Sequence, residues 1–299
     1  MKFNFIFGKE RRVTGSHPRS RFLSVLSLVF LAALIPSALS QTSSQPETPP
    51  IQDNSFLVEE AYNQEFGVVQ HIHAFTRLWN SQDWLYTFTQ EWPAPGLRNQ
   101  LSYTVAYQHA GAFPASGAGI GDVFLNYRYQ LAGSGETRIA FAPRLSLLFP
   151  TGDLHAGRSL GGFGLQTNLP VSVVVAPKLV THWNVGGTFL PDARNLAGDH
   201  SAIAGYNLGQ SFVYLAHSRF NLMLETVFAN AQSVMAQGKT DWTQSCFVSP
   251  GVRWAYNFKS GLQIVPGIGV PIGAGPSAGK KGVFLYLSFE HPFRSLKRE

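Results

Sequence analysis

The sequence predicts an all-β protein, a transmembrane antiparallel up-and-down β-barrel of about twelve strands. Three observations predict it. Apolar and polar residues alternate with a period of two from about Phe66 almost to the C-terminus, and a strand sends successive side chains to opposite faces. Long and short connections alternate through the last nine strands, though not at the first two connections, as they do when one end of a barrel carries tight turns and the other carries longer loops. Charged residues make up only 13% of the 299, about half the ~25% of soluble domains, so much of the surface is poorly suited to water.

The formal net charge of +6 does not indicate a nucleic-acid partner. Lys2, Lys9, Arg11, Arg12, Arg19 and Arg21 stand against only Glu10 in the first forty residues, which leaves the remainder close to neutral. That basic stretch precedes the apolar run Phe22–Ile35 and the small residues Ala38 and Ser40. This is the pattern of an export signal peptide over 1–40, and the run is too short to span a bilayer as a helix. Residues 41–65 begin with "QTSSQPETPP" and are expected to form a disordered or periplasmic lead-in. The single cysteine, Cys246, allows no disulfide within one copy and reads as a packed strand residue.

The barrel is expected over 66–293, with a short tail over 294–299. Its strands are expected near 66–77, 84–92, 99–108, 121–131, 137–149, 163–175, 179–190, 201–216, 219–229, 244–258, 261–273 and 282–293. Tight connections such as "APK", "HS" and "KS" alternate with longer ones such as "PTGDLHAGRSLGG" and "AGPSAGKK". An even strand number then places both termini at the short-turn end. Trp79, Trp84, Trp92, Tyr107, Tyr127 and Tyr129 fall near strand ends, where aromatic girdles sit. Hydrocarbon offers no hydrogen-bond partner to a backbone, so strands persist there only in a closed barrel.

The stretch "GDVFLNYRYQL" shows how the faces divide. Val123, Leu125, Tyr127, Tyr129 and Leu131 form the lipid-facing side, and Asn126, Arg128 and Gln130 point the other way. An arginine facing lipid at the bilayer midplane costs roughly 2–4 kcal/mol, so Arg128 belongs in the lumen. The same phase adds Arg138, Arg144 and Ser146, then His182 and Asn184, then Glu225 and Arg253. These residues are the candidate lumen lining. They either meet a passing solute or form a hydrogen-bonded filling that stabilises the barrel.

Several pieces of the middle of the chain resemble one family. They are "GIGD" (Gly119–Asp122) followed by "LNYRYQL", then "RLSLLFPTGD" (Arg144–Asp153), "GGFG" (Gly161–Gly164) and "NVGGTFL" (Asn184–Leu190). In that order they are similar to the outer-membrane transporter barrels named for the meta-pathway of phenol degradation. The resemblance implies a bacterial outer-membrane barrel that passes small hydrophobic or aromatic compounds.

Other constellations carry less. "GIGD" precedes a strand and lacks the helix N-terminus of a phosphate loop, and "PTGD" reads as a rim turn. His71 and His73 share a strand face but lack further ligands at zinc spacing, and are expected in the lumen or at the periplasmic rim. Ser201 and Ser218 follow histidines, but strand neighbours point to opposite faces, so neither pair makes a nucleophile and its base. The expectation is a non-enzymatic channel or transporter in the outer membrane, without a cofactor or metal. Its partners would be lipid and lipopolysaccharide, the barrel-assembly machinery and a small solute, with no nucleic acid. The alternatives are a closed structural barrel acting through its outer loops and an outer-membrane hydrolase.

Overall fold

The computed structural model describes residues 51, 55–79, 81–111 and 117–293. The expected signal peptide, the lead-in before Ile51 and the tail over 294–299 lie outside the described residues.

The chain forms a closed antiparallel barrel whose strands follow in sequence order. They are β1 (Val68–Leu78), β2 (Trp84–Pro93), β3 (Asn99–His109), β4 (Gly119–Tyr129), β5 (Ile139–Phe141), β6 (Arg144–Phe149), β7 (Gly164–Ala176) and β8 (Leu179–Arg194). Then come β9 (His200–His217), β10 (Phe220–Val234), β11 (Thr240–Trp254), β12 (Tyr256–Asn257), β13 (Gln263–Gly269), β14 (Ile272–Gly273) and β15 (Gly282–Pro292). Three barrel strands are interrupted, giving the pairs β5/β6, β11/β12 and β13/β14, so fifteen segments make twelve spans. Pro143 and Pro271 lie in two of the gaps, where a residue without an N–H cannot continue the ladder. The last strand closes on the first, from Val68 opposite Pro292 to Leu78 opposite Gly282.

The strands correspond closely to those expected from the alternation, including the first two. The main difference lies at the long-loop end. There β8, β10 and β11 run several residues further than expected, to Arg194, to Val234 and back to Thr240. The extra residues keep the inward phase, because Ala193 and Val234 are buried. The loops expected over 191–200 and 230–243 therefore shrink to 195–199 and 235–239.

The two faces separate as the alternation demands. Leu125, Leu145, Leu165, Leu169, Val185, Leu208, Leu222, Leu224 and Leu285 are all exposed on the outer wall. Aromatics flank this apolar band. Trp79, Phe149, Phe163, Phe189 and Trp242 lie towards the long-loop end, and Tyr127, Tyr214, Phe220, Tyr256 and Phe293 towards the short-turn end. Inward positions carry serine, threonine, asparagine, glutamine and glycine, with buried Asn126, Arg128, Ser146, His182, Glu225 and Arg253 among them.

The lead-in expected to be disordered or periplasmic differs in its described part. Ile51, Ser55, Phe56, Leu57, Val58, Glu60, Ala61, Tyr62 and Gln64 are all buried inside the barrel. The stretch "SFLVEEAY" supplies apolar side chains for the inner apolar patches and two carboxylates for the inward arginines. Burial removes its apolar side chains from water, and its carboxylates enter the lumen paired with arginines instead of alone.

Candidate functional site

The lumen holds its own N-terminal segment, bound by the wall's polar side chains. Residues 55–64 join no strand, so their backbone groups have no ladder to satisfy them. The wall provides the partners. Both Glu225 carboxylate oxygens accept from Leu57 N, at 3.2 and 3.1 Å, and Oε1 also accepts from Val58 N at 3.3 Å. Asn184 clamps Glu59 on both sides: Oδ1 accepts its N–H at 2.8 Å, and Nδ2 donates to its carbonyl. Ser172 Oγ accepts from Ala61 N at 2.8 Å, Gln130 Oε1 from Asn63 N at 3.0 Å and Gln100 Oε1 from Gln64 N at 2.6 Å. Arg128 donates to the carbonyls of Glu60 and Tyr62 at 3.0 and 2.9 Å, and Arg253 to that of Ile51 at 3.1 Å. A buried backbone group left without a partner costs about 1–3 kcal/mol, so this alignment specifies where the plug sits.

One plug side chain has a shaped receptor. Phe56 lies against Phe284 and Tyr286 at ring-centroid distances of 5.3 and 5.4 Å. Its ring enters a gap left by Gly251 on β11 and Gly267 on β13. A β-carbon there would fall 2.8 Å from Phe56 Cε2 and 2.4 Å from Phe56 Cζ, respectively. Glycine weakens a strand, and here it marks the close approach of another chain segment.

The charges converge where β4 meets β6. Arg128 and Arg144 stand directly opposite each other on β4 and β6. Glu59 bridges them, with Oε1 at 3.7 Å from Arg128 Nε and Oε2 at 3.0 Å from Arg144 Nε. Asn168 Nδ2 donates to the same Oε2 at 2.6 Å. Glu60 and Glu91 complete the neutralisation of Arg128, at 3.9 and 3.4 Å. Burial alone would raise the Glu59 carboxyl, but Arg144 and Arg128, with the Asn168 amide, hold it below the usual carboxylate range. Arg144 also donates to Asn126, Ser146 and Gln166.

Above the plug, towards the long-loop end, a cavity of about 110 Å³ remains. Ile72, Leu85, Phe124 and Tyr286 give it apolar walls, Thr87, Thr89, Ser102 and Thr104 a stripe of hydroxyls, and Glu59, Glu60, Arg128 and Arg144 a charged floor. The loop over 150–163 folds in over part of that end. Asp122, inward on β4, accepts from Gly152 N at 3.1 Å and Leu160 N at 3.0 Å. Leu160 packs on the inward cluster of Leu148, Leu190, Ile203 and Val234.

Nine of the ten candidate lining residues point inward. Asn126, Arg128, Gln130, Ser146, His182, Asn184, Glu225 and Arg253 are buried, and Arg144 is nearly so. Arg138 does not belong with them, because it precedes β5 at the short-turn rim with its side chain exposed. It shares the phase of buried Ala140 and Ala142, yet its side chain is exposed. His71 and His73 lie on the outer face, not in the lumen, where His71 Nε2 meets His291 Nε2 at 3.2 Å and His73 meets the Tyr86 hydroxyl at 2.6 Å. Of the serine–histidine pairs, Ser218 Oγ is 3.4 Å from His217 Nδ1 in an exposed turn, while His200 is bonded to Asp192 and not to Ser201.

The sequence reading missed Glu59, Glu60, Glu91, Gln100 and Asp122. A signal existed for Asp122, which shares the inward phase of Phe124, Asn126 and Arg128. "GIGD" and "PTGD" are thus partners in one latch, because Thr151 donates to Gly121 O at 2.9 Å beside the Asp122 bonds.

Comparison with solved structures finds the same architecture. An outer membrane channel from Pseudomonas putida F1 is similar, with a TM-score of 0.53 and 12% identity over 77% of this chain and 97% of that one. The NanC porin gives a TM-score of 0.48 at 10% identity, covering 75% of this chain and 98% of that one. The CymD monoaromatic hydrocarbon channel gives 0.38 at 11% identity, over 77% and 90%. At 12% identity the likeness to the Pseudomonas putida channel shows the barrel fold alone. No family model and no curated protein matches the chain.

Proposed function

We propose that the protein is an outer-membrane channel for small solutes, hydrophobic or aromatic in character, whose resting state is closed by its own N-terminal segment. One observation carries this reading: the wall is built hollow. Where the plug lies, the strands present small inward residues (Ser172, Gly209, Ser211, Ser249, Gly251 and Gly267), and a separate segment fills the space they leave. A barrel serving only as a scaffold would fill its interior with the strands' own side chains. The apolar outer band and its flanking aromatics support a membrane location. The cavity walls suit a compact apolar solute with a hydrogen-bonding group, and passage needs no covalent chemistry. The likeness to the Pseudomonas putida channel and the resemblance to the phenol-pathway barrels agree with this reading.

Planar-bilayer recording and solute-uptake assays on refolded protein test it. Low wild-type conductance that rises on Glu225→Ala, which removes the acceptor of two plug N–H groups, is the expected result. If neither protein conducts nor admits solute, the channel reading fails and the closed structural barrel stands.

A further inference from the structure

Two guanidinium groups face each other across β4 and β6, both inward and both deeply buried. Like charges directly opposite on a sheet repel, more strongly away from water, so this pair calls for carboxylates beside it. On the wall, Glu91 lies 3.4 Å from Arg128. A further carboxylate comes from outside the sheet. The Glu59 carboxylate takes one oxygen to Arg128 and the other to Arg144 and Asn168. Asn168 is itself the residue opposite Arg144 on β7, so three consecutive strands aim donors at a single carboxylate.

That carboxylate belongs to a segment that joins no strand, whereas the donors belong to the barrel. From this asymmetry we infer that Arg128, Arg144 and Asn168 form a carboxylate-recognition site, occupied at rest by Glu59 and taken by the solute when the plug moves. The solute class is then a small carboxylate with a compact apolar body. The charged floor adjoins the apolar walls of Leu85, Phe124 and Tyr286 in a cavity of about 110 Å³. An engineered apolar cavity of about 150 Å³ holds benzene, so this space, enlarged by the room that the Glu59 side chain vacates, is on the scale of one ring or a short branched chain. This inference rests on the channel reading and narrows its cargo.

Calorimetric titration of the full chain in detergent tests it, with benzoate as the probe and benzyl alcohol as its neutral counterpart. Glu59→Ala removes the resident carboxylate and leaves its space. Benzoate affinity is expected to rise about tenfold over wild type, with benzyl alcohol changed less than about twofold. In the Glu59→Ala background, Arg144→Gln and separately Asn168→Ala are each expected to remove most of that gain. Two variants are used because Arg144 also bonds Asn126 and Ser146, and heat-modifiable migration checks that each barrel is folded. No gain for benzoate, an equal gain for benzyl alcohol, or a gain that survives both second substitutions would overturn the inference. Conductance is read separately. Its absence counts against the channel reading, while benzoate binding still decides the anion site.

Discussion

Arg128 shows how a single side chain acquires its role from its surroundings. On β4 it is an inward residue, and with the plug in place it meets two plug carbonyls and carboxylates from Glu59, Glu60 and Glu91. Breaking such a buried network from one side is costly, because it strands charge without a partner. Gly267 is the apolar counterpart. Gly267→Val would place atoms where Phe56 Cζ lies, so the ring must leave its socket. Conductance in planar bilayers is expected to rise while heat-modifiable migration stays as in wild type. Glu59 gives a pH prediction. Its carboxyl is held below its ordinary 4.5, so its contribution to docking is complete above 4.5 and is lost progressively as pH falls below that value. The difference in plug release between wild type and Glu59→Gln is therefore expected to be full at neutral pH and to shrink steadily as pH is lowered below about 4.5. Conductance measured against pH for the two proteins checks this.

Each strand works by phase. On β4, Leu125 and Asn126 are neighbours in sequence, yet one is 43% exposed on the outer wall and the other 3% exposed in the lumen. Leu125→Arg is expected to destabilise the folded barrel in lipid by about 2–4 kcal/mol if its side chain meets the bilayer midplane. The measurement is denaturant unfolding in bilayers, with Asn126→Ser as the comparison. The plug is the contrasting element. It has no ladder, and its order derives from side chains on β3, β4, β7, β8 and β10, so it can leave without unzipping any strand pair. That independence is what a gate requires, since opening then breaks only the contacts that hold the gate.

For the whole molecule, closure of β15 on β1 removes every sheet edge and allows an apolar outer wall. The resulting cylinder has two unlike ends, short turns beside the plug and longer loops beside the Asp122 latch. Cysteines introduced singly at Gly157 and Ala197 in a Cys246→Ser background, both in long-end loops, are expected to react with an impermeant maleimide on intact cells. Protection at both would reverse the orientation.

The alternation by itself determined the strand number, their approximate bounds, the outer face and nearly all of the inward polar set, because strand phase is local and binary. The alternating loop lengths likewise distinguished a short-turn end from a long-loop end. The tertiary structure alone decided that the inward set binds a segment of the same chain, that Arg138 falls at the rim and that His71 and His73 face outward. Leu57 meets Glu225 across 168 residues and Ile51 meets Arg253 across 202. No local period records such a pairing. It exists only once the barrel has closed and left a hollow whose polar side chains need partners.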